Sequence, residues 1–221
     1  MSHVLFESGF PELVQARLAA PLPGRDAQYR MASLRRREDN EQFYTQPTTD
    51  ARVASVLNLL HYHEGQWRTV LIQRTSNPKD RHSGQVSFPG GRWEETDESL
   101  EQVALREAEE EVGIDPTRVR LLGRLTELYI PVSNYIVHPF VGMLEGEARF
   151  VPQPGEVAAV ITPELRIFRH PDIRKVIDLP LGNGITLPRV PYFEVDGHVV
   201  WGATAMIMNE FLEAVFGEKR D

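Results

Sequence analysis

Residues 90–114 read GGRWEETDESLEQVALREAEEEVGI, and the core of that stretch, ALREAEEEVGI, sets Glu107, Glu109, Glu110 and Glu111 on about one helical turn. At about 100° per residue, Glu111 lies about 40° from Glu107 and Glu110 about 60° to the other side, so three carboxylates share one stripe while Glu109 points away. Leu105, Ala108 and Val112 fall beyond that stripe, and Leu100, Val103 and Ala104 lie on its near part. The acidic stripe therefore borders the face that must be buried. Glu98, Gln102, Arg106 and Glu109 are left for solvent or rim contacts. Like charges at i,i+4 cost a helix about 0.2–0.5 kcal/mol per pair, and more beside apolar surface, where desolvation raises carboxylate pKa values. A divalent cation reverses that sign: Mg²⁺ takes a few carboxylate oxygens and leaves its other positions to water and substrate phosphates. Taken alone, a solvated acidic face explains the run equally well, so the neighbouring residues decide.

Pro89-Gly90-Gly91 precedes the helix. Without a Cβ, this backbone can approach a ligand closely and present a carbonyl to the same ion. Together with REAEEEVG, the glycine pair resembles the signature of the Nudix hydrolases: Gly, five residues, Glu, seven residues, then Arg-Glu-apolar-x-Glu-Glu-x-Gly-apolar. Residues 106–114 fit its second half. The first half is one residue longer than the pattern. Glu98 is correctly spaced from Arg106, whereas counting from Gly91 lands on Asp97, so both are candidates for the upstream acidic role.

The same expansion occurs in the coenzyme A diphosphatase branch of that family. The leader LIQRTSNPKDRHSGQVSFPGG, with Arg74, Gly84, Phe88, Pro89, Gly90 and Gly91, resembles this branch, as do residues 125–142 and 199–207. The resemblance implies a Nudix fold, an α/β/α sandwich of the α+β class around a central mixed sheet. It implies Mg²⁺ or Mn²⁺ held by Glu107, Glu110 and Glu111 with the Gly91 carbonyl, and cleavage of coenzyme A or acyl-coenzyme A to 3′,5′-ADP and 4′-phosphopantetheine. Arg106 lies about 40° from Glu110 and can steer a carboxylate or a phosphate oxygen; a weak solvent-facing pair is the alternative. Glu111 and Glu107 both stand as candidates for the base that takes the water's proton. Arg74, His82, Ser83 and Gln85 around the glycine loop, and Tyr129, Ser133 and Asn134 in IPVSNY, are candidate substrate contacts, although a turn needs Ser133 and Asn134 equally well.

Two other readings stand beside this one. A Nudix hydrolase of an oxidised dNTP, ADP-ribose or NADH would carry the same box. A non-catalytic nucleotide sensor would be free to lose the carboxylates that this chain keeps.

A chain of 221 residues with 41% apolar content can bury one good core. We expect residues 51–221 to form the hydrolase domain and residues 1–50 an N-terminal helix and arm packing on it. With no cysteine, thiolate metal sites and disulfides are excluded, and the composition suits a cytoplasmic protein. A net charge of −8 argues against nucleic-acid or anionic-membrane partners. The one dense basic run, Arg35-Arg36-Arg37, reads as a solvated loop or as a contact for an anionic substrate. The oligomeric state, a homodimer included, is left open.

Residues 8–20 read as a helix with Ser8 as N-cap and Pro11 in its first turn, and residues 24–50 as an irregular arm. Residues 52–62 and 67–74 read as a hairpin whose His61 and His63 share a face, more as surface residues than as metal ligands. Strands are expected at 119–126, 136–144 and 156–161, with a short helix at 163–170. Asp196-Gly197 reads as a type I′ turn, and residues 201–216 as a last helix with Trp201 in the core.

Overall fold

The computed structural model describes residues 9–38, 47–76, 83–181 and 184–217. Ser8, His82 and the side chain of Arg35 lie outside the described residues. Three helices come first: α1 (Phe10–Leu18), α2 (Gly24–Tyr29) and α3 (Leu34–Glu38). α1 is the expected N-terminal helix, with Pro11 in its first turn and Gly9 at the N-cap. The expected irregular arm instead contains α2 and α3. Their anchors lie far along the chain: Asn209 Nδ2 donates to Ala27 O at 2.6 Å, and Gln28 Nε2 donates to Glu210 Oε2 and Thr126 O, each at 2.8 Å. No local signal could have announced them.

β1 (Arg52–His63) and β2 (Gln66–Thr69) form the expected hairpin, with positive φ at Glu64 and Gly65 as a type I′ turn requires. The return strand breaks at Val70, and β3 (Leu71–Arg74) leaves for another sheet. β4 (Val86–Ser87), β5 (Gly90–Arg92), α4 (Leu100–Val112), β6 (Val119–Arg124), β7 (Leu128–Ile130), β8 (Tyr135–Leu144) and β9 (Val157–Ile161) follow. A 3₁₀ turn at Leu165–Arg169 replaces the expected short helix. The chain continues with β10 (Arg174–Leu181), β11 (Ile185–Val195), β12 (His198–Trp201) and α5 (Gly202–Phe216). Asp196 and Gly197 both have positive φ in the β11–β12 turn, as expected. β7 and β10 were not anticipated. β10 alternates half-buried with exposed residues and carries Pro180, which masks it as a strand.

The central sheet runs β2-β1-β8-β6, with β5 added beside β1 and β7 beside β8; β1 and β8 are parallel and every other pair is antiparallel. β1 is apolar on both faces because both are covered. Leu57 and Leu59 pack with Ala104, Ala108 and Val112 of α4. Ala54 and Leu60 join the opposite core, with Met206 and Phe211 of α5 and Phe10 and Val14 of α1. This is the expected α/β/α sandwich around a mixed sheet. Smaller sheets, β4-β3-β9 and β10-β11-β12, extend it.

Candidate active site

β5 pairs with β1 at Val56↔Gly90, Ser55↔Gly91 and Ala54↔Arg92, and α4 packs over both strands. A Cβ on Gly90 would lie 2.4 Å from Ser55 O, and one on Gly91 would lie 2.3 Å from the Glu107 carboxylate. The first glycine is demanded by the neighbouring strand and the second by the acidic side chain. Ser99 caps α4 by accepting from Gln102 N, and Gly113 in the left-handed region ends it, so the helix holds its glutamates at fixed angles to the loop.

Gly90 N donates to Glu111 Oε2 at 2.9 Å, and Arg74 Nη1 lies 3.7 Å from Glu111 Oε1. The Glu111 side chain is only 3% exposed. Burial pushes its pKa up to about 7; the Gly90 N–H and Arg74 oppose the rise, and the charges of Glu107 and Glu156 add to it. Burial also raises Glu107, against the pull of Arg106. Glu110 faces outward, with its side chain 57% exposed.

Arg106 is no loose surface cation. Its Nε and Nη2 donate to the two oxygens of Asp97 at 2.9 and 3.1 Å, its Nη1 to Glu107 Oε1 at 2.9 Å, and its Nη2 also to Arg92 O at 3.1 Å. Glu110 Oε1 stands 3.4 Å from Nη1. This fork holds Asp97 below the usual carboxylate range and keeps Arg106 protonated all the more firmly. Asp97 is buried and also accepts from Glu94 N, whereas the Glu98 side chain is exposed and its backbone N–H donates to Gln102 Oε1. Of the two upstream acids, geometry brings Asp97 to the cluster.

The acidic side chains around Gly91 offer only oxygen ligands, desolvation raises both Glu107 and Glu111 despite the donors beside them, and the Glu107 carboxylate occupies the space a Cβ on Gly91 would fill. This set fits a hard divalent cation. Among the described residues, no three acidic or histidine side chains are drawn together at ligating range. Glu107 and Glu110 instead lean on Arg106, the arrangement that like charges adopt around the nearest cation.

A cleft of about 700 Å³ opens beside the glycine loop. Arg74, Gln85, Gly90 and Gly91 line its near end and Ser133 its rim; Ser83, in the preceding turn, is not part of the lining. Tyr129 and Asn134 do not reach the cleft. The Tyr129 hydroxyl and Thr48 Oγ1 both donate to Asn134 Oδ1 at 2.9 Å, which pins a turn where Asn134 has positive φ. The two histidines share a face, as expected, with their rings 6.3 Å apart, but differ in burial. His61 is buried edge-on against Phe150, and burial lowers its pKa to about 4, while His63 is exposed. Trp201 lines the cleft instead of closing the core.

Glu156 is a neighbour of the site that the sequence does not announce, whereas Arg36, from the basic run, lines the cleft. Gln153 N donates to Glu111 O and Thr75 N to Glu156 O, so the segment before β9 is tied to both the end of α4 and the strand bearing Arg74. That places the Glu156 charge where it acts on Glu107 and Glu111. No motif surrounds Glu156, and only its proximity in the fold reveals it.

Residues 51–179 match the family model described as the NUDIX domain. α1 to α3, β11, β12 and α5 lie outside that match. The chain is 35% identical over 164 residues to the uncharacterized Nudix hydrolase NudL of Pectobacterium atrosepticum, covering 74% of this chain and 83% of that one. It is 34% identical over 161 residues to the mitochondrial Nudix hydrolase 15 of Arabidopsis thaliana, covering 71% of this chain and 56% of that one. The crystal structure of a MutT/nudix family protein from Enterococcus faecalis shares the fold, with a TM-score of 0.50 and 17% identity over 86% of this chain and 73% of that one.

Proposed function

This chain belongs to the Nudix family of hydrolases, and from that premise we propose that it cleaves coenzyme A or an acyl-coenzyme A to 3′,5′-ADP and 4′-phosphopantetheine or its acyl form. The observation that carries the choice of substrate is the cleft. It begins at Arg74, Gly90 and Gly91, where a diphosphate would lie, and continues over an apolar wall that includes Val190, Trp201, Met206 and Ile207. A ligand with a charged middle and a long, weakly polar arm matches both ends. No described helix is long and apolar enough to cross a membrane.

Glu107, Glu110 and Glu111, with the Gly91 carbonyl, would hold Mg²⁺ or Mn²⁺. When bound, such a cation neutralises diphosphate oxygens and lowers the pKa of the attacking water. The chain's own residues do the rest. Arg106, clamped by Asp97, fixes the direction of Glu107 and keeps Glu110 within reach. Gly90 N–H holds one oxygen of Glu111 and leaves the other toward Arg74. Glu111 or Glu107 accepts the water's proton as its oxygen bonds to one phosphorus. The bridging P–O bond breaks, and two phosphomonoesters leave.

A product assay with coenzyme A, acyl-coenzyme A, ADP-ribose, NADH and an oxidised dGTP, each with and without Mn²⁺, tests this reading. Mn²⁺-dependent release of 3′,5′-ADP from coenzyme A compounds, faster than any product from the other three, supports it. Preference for ADP-ribose, NADH or the oxidised nucleotide would replace the substrate. No release from any of them, with no metal binding, would favour the sensor.

A further inference from the structure

We propose that Arg36, on α3 (Leu34–Glu38), forms a subsite for a second anionic group of the substrate, separate from the diphosphate that is cleaved. The inference rests on the proposed site at the glycine loop and adds to it. In a chain of net charge −8, the described residues that line the 700 Å³ cleft include three arginines, Arg36, Arg74 and Arg92, and no carboxylate. Arg74 and Arg92 flank the glycine loop, and Arg36 belongs to the opposite wall. Its Nη2 donates to Tyr129 O in β7 (Leu128–Ile130). Across the sheet the strands run β5, β1, β8, β7, with Ala54 opposite both Arg92 and Val137, and Val137 opposite Leu128. Three strand spacings put β7 about 14 Å from β5, beyond the span of a single diphosphate.

The state of the Arg36 guanidinium points the same way. Among the described residues no carboxylate pairs with it; its other contact is the Tyr29 ring, 5.7 Å from its central carbon. Its Nε–H is buried and meets no acceptor among the described residues. What bears on a ligand is that Arg36 lines the cleft, where a guanidinium whose terminal nitrogens are not tied to a carboxylate can receive a two-oxygen anion. Ser133 adds a hydroxyl to the same wall. Phosphomonoester and carboxylate share this chemistry. In the proposed substrates the first would be the 3′-phosphate of the nucleotide and the second a carboxylate ending the acyl arm.

Arg36→Gln and Arg36→Lys, in the full chain with Mn²⁺, test the subsite through ratios of kcat/KM. If the 3′-phosphate is the ligand, Arg36→Gln lowers the preference for coenzyme A over 3′-dephospho-coenzyme A about tenfold or more. If a carboxylate is the ligand, the same drop appears in the ratio of succinyl- to butyryl-coenzyme A. Arg36→Lys restores part of it. A merely structural arginine lowers every substrate together, and unchanged ratios in both pairs overturn the subsite. Should wild type cleave no coenzyme A compound, the proposed substrate fails by itself. The subsite is then judged by calorimetry, with 3′,5′-ADP against 5′-AMP and succinate against butyrate. Arg36→Gln must weaken the first ligand of at least one pair relative to the second, and equal effects in both pairs reject it.

Discussion

α5 buries Glu210 and Glu213, α4 buries Glu111 and half-buries Glu107, and the two helices treat these acids differently. On α5, all four carboxylate oxygens are answered: Glu210 accepts from Thr126 N and Gln28 Nε2, and Glu213 from Asn209 Nδ2 and Arg30 Nη1. On α4, one oxygen of each is answered, Glu111 Oε2 by Gly90 N and Glu107 Oε1 by Arg106. No hydrogen bond from the described residues reaches the other two. Glu111 and Glu107 also repel each other and Glu156, whereas the neighbours that act most on Glu210 are the hydrogen-bond donors Thr126 and Gln28. Burial raises the carboxyl of Glu210 as it does those of the α4 pair, so burial does not tell structural from functional glutamates. The discriminating feature is whether the neighbours complete the carboxylate's bonds or leave it short. α5 uses its acids to fasten the N-terminal helices, and α4, on the proposed reading, holds its acids for a cation.

The largest effect expected from this contrast is on hydrolysis. Glu111→Gln or Glu110→Gln should lower kcat about 10²–10⁴-fold, read from product release with Mn²⁺, while the metal-free fold is as stable as wild type or slightly more so. Near-normal rates in both variants would remove the metal assignment. Glu210→Ala should behave in the opposite way. It strands Gln28 and the Thr126 N–H, so unfolding in urea should show a loss of about 2–4 kcal/mol, with kcat of the folded fraction within a few-fold of wild type.

A third difference lies in pH. Glu111 in the folded, metal-free protein has its pKa near 7, above the ordinary 4.5. Between those values the folded state keeps a proton that the unfolded chain has released, so stability falls as pH rises from about 4.5 to 7, by about 3 kcal/mol. His61, lowered to about 4, contributes the reverse slope between about 4 and 6.5. The diagnostic quantity is therefore wild type minus Glu111→Gln, measured by denaturant titration in EDTA. A flat difference curve contradicts the buried-acid account.

The smallest effect separates neighbours. Asp97→Asn disturbs the fork that positions Arg106 and should cost about tenfold in activity and about 1–2 kcal/mol in stability. Glu98→Gln, on an exposed side chain, should change activity less than twofold. Equal effects would mean that the extra residue in the glycine loop does not set the register.

Local and distant contacts also divide what is legible in the sequence from what is not. The α4 stripe, its caps and Gly90-Gly91 are legible because charge, capping and glycine signals are local. The layered fold follows from the resemblance and from the apolar runs of β1 and β8. α2 and α3 are not legible, because Gln28 and Ala27 are fastened by Glu210 and Asn209, more than 180 residues away. For the same reason Glu156 escapes notice as a neighbour of the site, and the basic run at Arg36 is legible only as a loop or an anion contact, without its place in the cleft. Tyr129 and Asn134 resemble ligand contacts because a turn and a binding loop use the same residue types. Asp97 and Glu98 cannot be separated by spacing alone, since only the folded turn shows which acid faces Arg106.

The most direct test of the α4 site is a thermal melt of wild type and Glu111→Gln at pH 7, each in EDTA and in excess Mn²⁺. The account predicts that Mn²⁺ raises the Tm of wild type by several degrees and leaves the variant nearly unmoved, with the variant at least as stable as wild type in EDTA. Equal Mn²⁺ shifts in the two proteins, or none in wild type, would contradict it.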